Sequence, residues 1–446
     1  MIVNNAMIIA CASCGKTLSD RTPHATCPQC DGLLDITPAS PPARGAALQK
    51  LFDTRASDHA MCGTPIQQSG VWRFRELVLP TDDASIVSHP EGNTPLLHRN
   101  AVSHYAGIDS LRMKHEGHNP TGSFKDRGMT VAVTQARRCG ATAIACASTG
   151  NTSSSLASYA AHAGIPALVM VPVGRISMGK LAQTVAYGAQ TLLVRGDFDD
   201  CLRLVRESAQ SLGVYLGNSL NPFRIEGQKT IIFELLQQYG WNPPDWIALP
   251  AGNLGNTSAF GKALREAHEL GLIEKIPRLL SVQASGAAPF AHAFAEDFVN
   301  RHKVRAETIA TAIRIGDPAS WDRGVAAIRF TNGVVAAVSD EAIMEAKSVI
   351  DASGVGCEPA SAASVAGVKA LVARGVIKPS ESVVTILTGH VLKDPEKTLT
   401  SDAHSPHPHP HPHPHPHLHP HLHPNAPIEI DANLAAVERV LKSAAN

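Results

Sequence analysis

The clearest indication of the fold class is the stretch Thr142-Ala-Ile-Ala-Cys-Ala-Ser-Thr-Gly-Asn-Thr-Ser-Ser-Ser-Leu-Ala-Ser-Tyr-Ala-Ala-His-Ala-Gly-Ile-Pro-Ala-Leu-Val-Met-Val171. Its two ends, residues 142–147 and 167–171, are short apolar runs of the kind that form buried strands. Between them, residues 152–163 have the composition of a helix. Two buried strands joined by a helix are typical of a parallel sheet covered by helices. The stretch therefore predicts an α/β fold.

The same alternation continues towards the C-terminus. Further strands are predicted at residues 191–194, 246–249, 279–282 and 383–387, and further helices near residues 177–187, 198–212 and 257–270. The repeated pattern extends the predicted parallel sheet over most of the chain.

Length and composition narrow the possible classes of protein. The chain has 446 residues, enough for two or three domains at about 150 residues each. The chain has 39 basic residues (Lys and Arg) and 39 acidic residues (Asp and Glu), so its formal net charge is zero. The global charge therefore gives no support for a nucleic-acid partner. No apolar run approaches the roughly 20 residues that span a bilayer, so no membrane partner is expected. The first residues lack the basic and apolar segments of a signal peptide, so we expect a cytoplasmic location.

The two ends of the chain differ in composition from the body. The head, residues 1–40, is rich in cysteine, and residues 401–427 are nearly pure His-Pro alternation. Proline at every second position removes the backbone donors that helices and sheets need. The histidines could chelate Zn, Ni or Cu weakly, or the segment could be a neutral low-complexity insertion. Residues 428–446 are predicted to form a C-terminal helix that docks on the body.

Four cysteines in the head have the spacing of a metal site. Cys11 and Cys14 form one CxxC pair, and Cys27 and Cys30 form a second. Two such pairs can close a tetrahedral site around Zn²⁺, although a redox disulfide, an iron site or no metal at all would also fit the spacing. A four-cysteine zinc site has no open coordination position, so its role would be in folding.

Residues 115–129, His-Glu-Gly-His-Asn-Pro-Thr-Gly-Ser-Phe-Lys-Asp-Arg-Gly-Met, carry the densest polar pattern. Asn119-Pro-Thr-Gly122 reads as a turn, and Ser123 with Asp126 has the form of a capping box that opens a helix. Lys125 would then lie in the first helical turn, where the helix dipole opposes a cation and favours the neutral amine that attacks a carbonyl. The alternative is an exposed lysine paired with Asp126.

Three further segments follow predicted strands and could bind anions. Residues 252–256 form a glycine-rich turn before a helix, suited to a phosphate, and match neither a Walker loop nor GxGxxG. Residues 148–153 present hydroxyl groups at a helix start, suited to a carboxylate. Residues 218–224 add Arg224, suited to a second phosphate. Each segment could instead be structural: a Gly-Asn turn, a helix cap and an Asn-Pro turn respectively.

The segment 115–129 resembles the cofactor-lysine segment of the threonine synthase family. Segments 148–153, 218–229, 252–256 and 387–390 resemble segments of that family in the same order, over about residues 90–395. Serine and threonine dehydratases and cysteine synthases share the lysine segment in looser form. The match through 127–129 and the segment 218–224 favour threonine synthase.

The resemblance implies an α/β fold of the tryptophan synthase β-like kind, pyridoxal-phosphate (PLP) fold type II. It consists of two parallel-sheet domains with the cofactor between them, here preceded by a small zinc ribbon. We expect the large PLP-binding domain at residues 41–112 and 217–400, and the small α/β domain at 113–216.

The resemblance also implies the site residues. Lys125 would bind PLP covalently, Asn151 would contact the ring hydroxyl oxygen and Thr388 the pyridine nitrogen. The PLP phosphate would be bound by Gly252, Asn253, Leu254, Gly255 and Asn256. The implied substrate is O-phospho-L-homoserine. Its carboxylate would contact Ser148, Thr149 and Thr152, and its phosphate Asn218, Ser219, Arg224 and, as a further candidate, Lys180.

The expected activity is conversion of O-phospho-L-homoserine and water to L-threonine and phosphate by elimination and β-addition. We expect a homodimer that contacts a small-molecule substrate and no nucleic acid. Two alternatives remain open. One is another PLP-dependent β/γ-replacement lyase or a dehydratase. The other is a zinc-ribbon adaptor or a His-tail metal-binding protein.

Overall fold

The computed structural model describes residues 7–38, 43–58, 65–174, 178–395 and 428–444. They form three sheets of three, six and five strands. The α/β class and the parallel sheets predicted from the sequence are confirmed. The His-Pro segment lies outside the described residues. None of the helices within these ranges combines the length and the hydropathy needed to span a bilayer.

The head is a three-stranded antiparallel sheet. Its strands are β1 (Met7–Cys11), β2 (Thr17–Leu18) and β3 (Leu34–Pro38), in the order β2-β1-β3. Ile9, Leu34 and Ile36 are fully buried and belong to the same apolar core as the body. The head is therefore packed onto the rest of the protein and is not a separate tethered module.

The larger sheet has six strands, in the order β12-β11-β10-β13-β5-β4, parallel except for the edge strand β4. These strands are β4 (Leu96–His98), β5 (Leu111–His115), β10 (Trp246–Pro250), β11 (Arg278–Ala284), β12 (Val334–Val338) and β13 (Val383–Leu387). The two central strands β10 and β13 are buried along their whole length, because helices cover both faces of the sheet.

The smaller sheet has five parallel strands, in the order β14-β8-β7-β6-β9. These strands are β6 (Ala143–Ala147), β7 (Ala167–Pro172), β8 (Gln190–Arg195), β9 (Val214–Leu216) and β14 (Ile428–Asp431). Every strand predicted from the sequence is present, with bounds that agree to within two residues.

The helices cover the faces of the two larger sheets. They are α1 (Gly45–Asp58), α2 (Pro65–Gln68), α3 (Arg75–Val78), α4 (Asn100–Ala106), α5 (Lys125–Arg138), α6 (Asn151–Ala163), α7 (Met178–Ala186), α8 (Phe198–Ser211), α9 (Pro222–Gln228), α10 (Thr230–Gln238), α11 (Gly255–Glu269), α12 (Pro289–Ala295), α13 (Trp321–Phe330), α14 (Asp340–Ala352), α15 (Pro359–Ala373) and α16 (Leu434–Ala444). Helices α5, α6, α11 and α15 each begin at a loop that follows a strand, and these loops carry the site.

Two expected boundaries differ from the structure. The expected start of the small domain at residue 113 falls inside β5, which pairs with β13 and β4 of the larger sheet, so the larger sheet includes His115. The C-terminal segment, expected as a helix alone, begins with β14. Its Ile-Glu-Ile-Asp sequence alternates apolar and acidic residues, and it forms a strand that pairs in parallel with β8. Arg195 of β8 forms ion pairs with Glu429 and Asp431 of β14.

Candidate active site

Lys125 is the first residue of α5, as the sequence predicts. The predicted capping box is wrong, because Asp126 does not bond to Ser123 through its side chain. Its carboxylate instead accepts hydrogen bonds from the backbone and hydroxyl group of Thr121, at 2.7 and 2.6 Å, and from the hydroxyl group of Ser155 at 2.6 Å. Asp126 therefore closes the turn before the helix, and it is not a partner of Lys125.

The amine of Lys125 has the environment of a neutral nucleophile. Its Nζ lies 4.1 Å from the ring centroid of Phe124 and makes no hydrogen bond within the described ranges. Burial, with a smaller contribution from the cationic Arg224, lowers the pKa of Lys125 to about 7. A large fraction of this amine is thus uncharged near neutral pH, as attack on an aldehyde requires.

The loop after β13 is fixed against the turn that precedes Lys125. Phe124 donates its backbone N–H to the carbonyl oxygen of Thr388 at 3.0 Å, and His390 donates to the carbonyl oxygen of Gly122 at 2.9 Å. Thr388 is buried, and its hydroxyl oxygen lies 3.1 Å from the hydroxyl oxygen of Ser361. The backbone hydrogen bonds between residues 122–124 and 388–390 therefore position both Lys125 and the neutral hydroxyl group of Thr388.

Two glycines allow α5 and α9 to cross at backbone contact. A Cβ atom on Gly227 would lie 1.8 Å from the carbonyl oxygen of Arg127, and one on Gly128 would lie 2.9 Å from the carbonyl oxygen of Arg224. Only residues without a side chain fit this crossing. The crossing brings Arg224 beside the helix that begins at Lys125.

Arg224 is a buried cation whose hydrogen-bonding capacity is largely unused. It is 1 % exposed, and its Nη1 donates to the carbonyl oxygen of Gly217 at 3.2 Å. Its Nε and Nη2 have no hydrogen-bond partner among the residues that the structure describes. Burial lowers its pKa to about 10. A buried guanidinium with two free donors indicates a binding site for an anion.

The glycine-rich loop between β10 and α11 offers a second anion site. None of the backbone N–H groups from Gly252 to Asn256 donates a hydrogen bond within the described part of the chain. Leu254 has a φ of 61°, and Asn253 is held by the backbone N–H groups of Ala319 and Ser320 at 3.3 and 3.2 Å. Free N–H groups at the N-terminus of a helix are suited to a phosphate.

One side chain connects this loop to the lysine helix. A Cβ atom on Gly128 would lie 3.1 Å from Nε2 of Gln228, and one on Gly255 would lie 3.3 Å from Oε1 of the same residue. The first turn of α5 and the first residue of α11 are thus separated by the width of a single amide. The N-terminus of α11 therefore lies close to the helix that begins at Lys125.

The N-terminus of α6 carries the hydroxyl groups expected to bind a carboxylate. Ser148, Thr149, Asn151 and Thr152 are all half-buried, and Ser148 accepts a hydrogen bond from the backbone N–H of Gly150 at 3.2 Å. The strand before this loop, β6, is buried, whereas the side chains of the loop are partly exposed. This arrangement is typical of a loop that contacts a ligand.

Asn218, Ser219 and Lys180 are also expected to bind the substrate phosphate, and their surroundings differ from one another. The side-chain amide of Asn218 is paired with the backbone of Ala147, which donates to its Oδ1 and accepts from its Nδ2, both at 3.0 Å. Asn218 therefore links β6 to the loop after β9 and has one donor left. Ser219 is half-buried. Lys180 lies in α7, and its side chain lies outside the described residues.

Glu358 belongs to the site, although the sequence analysis did not single it out. Its side chain is 4 % exposed, Asn151 donates to its Oε2 at 2.9 Å, and burial raises its pKa. The available signal was the pair Glu358-Pro359, which by itself is typical of an ordinary helix start.

The four head cysteines converge. Their sulfur atoms all lie within 4.8 Å of one another, with 3.5 Å between Cys11 and Cys30 and 3.7 Å between Cys14 and Cys27. Sulfurs bound to zinc at about 2.3 Å in a tetrahedron are about 3.8 Å apart. The backbone N–H of Cys14 lowers the pKa of the Cys11 thiol to about 6, whereas the side chains of Cys14 and Cys11 raise the pKa of Cys30 to about 12, as expected for thiols this close together.

Comparison with known proteins agrees with this geometry. Residues 87–389 match the family described as "Pyridoxal-phosphate dependent enzyme". The chain is 40 % identical to a threonine synthase from Methanocaldococcus jannaschii, over 98 % of this chain and all of the relative. It is 43 % identical to a threonine synthase from Methanosarcina acetivorans, over 88 % of this chain and 93 % of the relative.

The chain belongs to the threonine synthase family.

The fold agrees with this family. The crystal structure of threonine synthase from Escherichia coli superimposes with a TM-score of 0.69, at 17 % identity, over 98 % of this chain and all of that one. This likeness shows the fold, and the relatives at 40 and 43 % identity confirm the resemblance of the sequence to threonine synthase. Membership of this family favours an enzyme over the alternative of an adaptor or a metal-binding protein.

Proposed function

We propose that this chain converts O-phospho-L-homoserine and water to L-threonine and phosphate, with PLP bound at Lys125. The observation that carries the substrate assignment is the buried, under-bonded guanidinium of Arg224 near Lys125, which is a second set of unused donors in addition to the free N–H groups of residues 252–256. Two anion sites suit a phosphorylated cofactor and a phosphorylated substrate. A serine or threonine dehydratase would need only the first of them.

The residues present fit PLP. The free N–H groups of residues 252–256 would bind its phosphate, Asn151 its ring hydroxyl oxygen, Thr388 its ring nitrogen and Lys125 its aldehyde. When bound, PLP supplies an electron sink that stabilises negative charge on the carbon atoms next to the substrate amine. Thr388 is neutral, so it would leave the ring nitrogen less protonated than a carboxylate partner would, and this would moderate the electron sink.

The substrate would be held at both ends. The hydroxyl groups of Ser148, Thr149 and Thr152 at the start of α6 would bind the carboxylate. Arg224, with Ser219 and the remaining donor of Asn218, would bind the phosphate, and Lys180 is a further candidate. Binding at both ends fixes the Cα–H and Cβ–H bonds relative to the amine of Lys125, which lowers the entropic part of the barrier.

Lys125 would carry the protons. Its neutral amine would accept the proton from Cα and pass it to the phosphate group of the substrate, which leaves the amine free to accept the proton from Cβ; the C–O bond at Cγ then breaks and phosphate leaves with the first proton. Water then adds at Cβ and protons return to the substrate, with the amine or the departing phosphate as the carrier. A pKa of about 7 allows Lys125 both to accept and to return a proton near neutral pH.

We also propose that Cys11, Cys14, Cys27 and Cys30 hold a structural Zn²⁺, which the convergence of their sulfur atoms supports. The two-domain division, with a boundary after His115, is supported by the pairing of the strands. The homodimer, the cytoplasmic location and the absence of a nucleic-acid partner stay predictions from the sequence.

The test is turnover by the purified holoenzyme. Incubation with O-phospho-L-homoserine should release phosphate and yield threonine in equal amounts, identified by chromatography. Lys125→Ala should abolish both products, whereas Lys50→Ala, which removes an exposed lysine of α1, should leave turnover unchanged. Phosphate release without threonine, or undiminished turnover in Lys125→Ala, would contradict the proposal.

A further inference from the structure

Glu358 occupies an unusual position for a residue that begins a helix. It is the residue before Pro359 at the start of α15, yet its carboxylate does not cap that helix. Its backbone N–H donates to the carbonyl oxygen of Gly389 at 3.1 Å, and a Cβ atom on Gly389 would lie 2.5 Å from the carboxylate carbon. The side chain is thus pressed against the loop that carries Thr388 and directed away from its own helix.

The carboxylate instead reaches across to the small sheet. Asn151, the first residue of α6, donates from Nδ2 to Oε2 of Glu358 at 2.9 Å. The other oxygen, Oε1, lies 3.4 Å from the hydroxyl oxygen of Thr388. One side chain therefore contacts both residues that are proposed to meet the edge of the cofactor ring.

A buried carboxylate is costly to retain unless it is paired with a cation. The ammonium group of Lys393 is already bonded to the carbonyl oxygen of Thr121, the hydroxyl group of Ser154 and the amide oxygen of Gln183, at 3.0, 2.9 and 2.6 Å. Lys393 and Lys125 favour the charged form of Glu358 from a distance, but neither forms a salt bridge with it among the described residues. The shortest hydrogen bond of this carboxylate is therefore the one from Asn151.

The orientation of the Asn151 amide depends on that contact. A primary amide can present either its oxygen or its nitrogen to a ligand. Because the acceptor Glu358 takes one N–H of Nδ2, the amide is fixed with its nitrogen on that side, and its second N–H is left for another acceptor.

We infer that Glu358 is a positioning residue, which orients the Asn151 amide so that its remaining N–H donates to the ring hydroxyl oxygen of PLP. This inference rests on the proposed function, because the contact between Asn151 and PLP is part of that proposal. Glu358 acts through Asn151 and is not itself the group that contacts the ring oxygen.

A double-mutant cycle on cofactor binding tests this role without substrate. The variants are Glu358→Met, which keeps the volume and removes the acceptor, Asn151→Ala, and the two combined. The readouts are the dissociation constant of PLP and the absorbance maximum of the bound cofactor. Glu358→Met should weaken PLP binding roughly tenfold and shift the maximum, because the hydrogen bond that orients the Asn151 amide is lost. The double variant should bind PLP no more weakly than Asn151→Ala alone.

Two further variants serve as controls. Glu358→Gln keeps an acceptor oxygen and should restore most of the affinity and the spectrum. Glu345→Gln removes the charge of an exposed glutamate paired with Lys369 and should change neither. Thermal unfolding of each apoprotein checks that the fold is retained.

The result that overturns the inference is additivity, in which Glu358→Met weakens binding equally with and without Asn151. Failure of Glu358→Gln to rescue would also overturn it, because the negative charge would then act directly. Either result leaves wild-type turnover intact. Failure of the wild-type holoenzyme to release phosphate from O-phospho-L-homoserine would instead reject the substrate assignment and leave the cycle unaffected.

Discussion

The backbone N–H of Phe124 donates a 3.0 Å hydrogen bond to the carbonyl oxygen of Thr388. These two residues are far apart in the chain, at the start of α5 and the end of β13. The bond places the amine of Lys125 and the hydroxyl group of Thr388 on neighbouring segments, so that one rigid pairing sets the distance between the proposed covalent anchor and the proposed partner of the ring nitrogen.

Replacement of Arg224 by methionine should separate function from stability. We expect kcat/KM for O-phospho-L-homoserine to fall at least about tenfold, because a charge-assisted contact to phosphate is lost. The free energy of unfolding of the apoprotein should stay equal or rise by about 1 kcal/mol, because an under-bonded buried cation is removed. Steady-state kinetics and denaturant unfolding measure the two effects.

The control for Arg224 is Arg203→Met. Arg203 is an exposed residue of α8, paired with Asp200 and Glu207, so its loss should leave kcat/KM unchanged. Undiminished turnover of the phosphorylated substrate in Arg224→Met would reject this substrate and favour a dehydratase.

The lowered pKa of Lys125 predicts the pH dependence of cofactor loading. In the apoprotein burial lowers this pKa from 10.5 to about 7, so the reactive neutral amine is gained as the pH rises through about 7. The rate of PLP binding to the apoprotein should therefore rise with a midpoint near pH 7. Stopped-flow absorbance at a series of pH values measures it. A midpoint near 10.5 would show that the amine is not perturbed.

The lowered pKa of Lys125 also determines how this residue affects the free energy of unfolding as the pH changes. Between pH 7 and 10.5 the unfolded chain binds a proton at Lys125 that the folded apoprotein does not. Unfolding is therefore favoured as the pH falls through this window, and the contribution of Lys125 to the free energy of unfolding increases with pH. Lys125→Met should reduce that slope in urea unfolding measured at several pH values.

Removal of the proposed Zn²⁺ from the head should weaken PLP binding, although the two sites are separate. Gln135, near the end of α5, donates to the carbonyl oxygen of Asp20 at 2.8 Å, and Lys262 of α11 donates to the carbonyl oxygen of Ile36. The head therefore contacts both helices whose first turns form the site. A chelator should lower the melting temperature by several degrees and weaken PLP binding. The chelator should have no further effect on Cys14→Ser, and an unchanged melting temperature in the wild type would contradict a structural metal.

The crossing of α5 and α9 should tolerate no side chain at Gly227. We expect Gly227→Ala to lose about 3 kcal/mol or more of the free energy of unfolding, because its Cβ would overlap the carbonyl oxygen of Arg127. Gly140→Ala is the control for the loss of a glycine as such, since a Cβ there has nothing within 4 Å and only its φ of 67° disfavours a side chain, at a cost of about 1–2 kcal/mol. Equal stability of the two variants in denaturant unfolding would contradict the crossing.

Periodicity and loop chemistry in the sequence account for much of this architecture. The strands and helices around residues 142–212 could be predicted because each is a short element with a uniform pattern between turn residues. Lys125 at a helix start followed from the Asn-Pro-Thr-Gly turn before it. These features are local, so neighbouring residues suffice to specify them.

The features that sequence reasoning missed depend on distant partners. Asp126 closes a turn through Thr121 and Ser155, whereas its spacing from Ser123 suggested a capping box. Asn218 pairs with the backbone of Ala147 on another strand. Glu358 reads as an ordinary helix start until Asn151 is seen opposite it. In each case the acceptor or donor lies in a segment that only the fold brings near.

The most direct measurement is to locate the covalently bound cofactor. The holoenzyme is reduced with borohydride, digested, and the peptide that carries the pyridoxyl group is identified by mass spectrometry. The group should be found on Lys125 alone, in a stoichiometric amount. Its attachment to another lysine, such as Lys114 or Lys393, or its absence from a protein that still turns over substrate, would contradict the account.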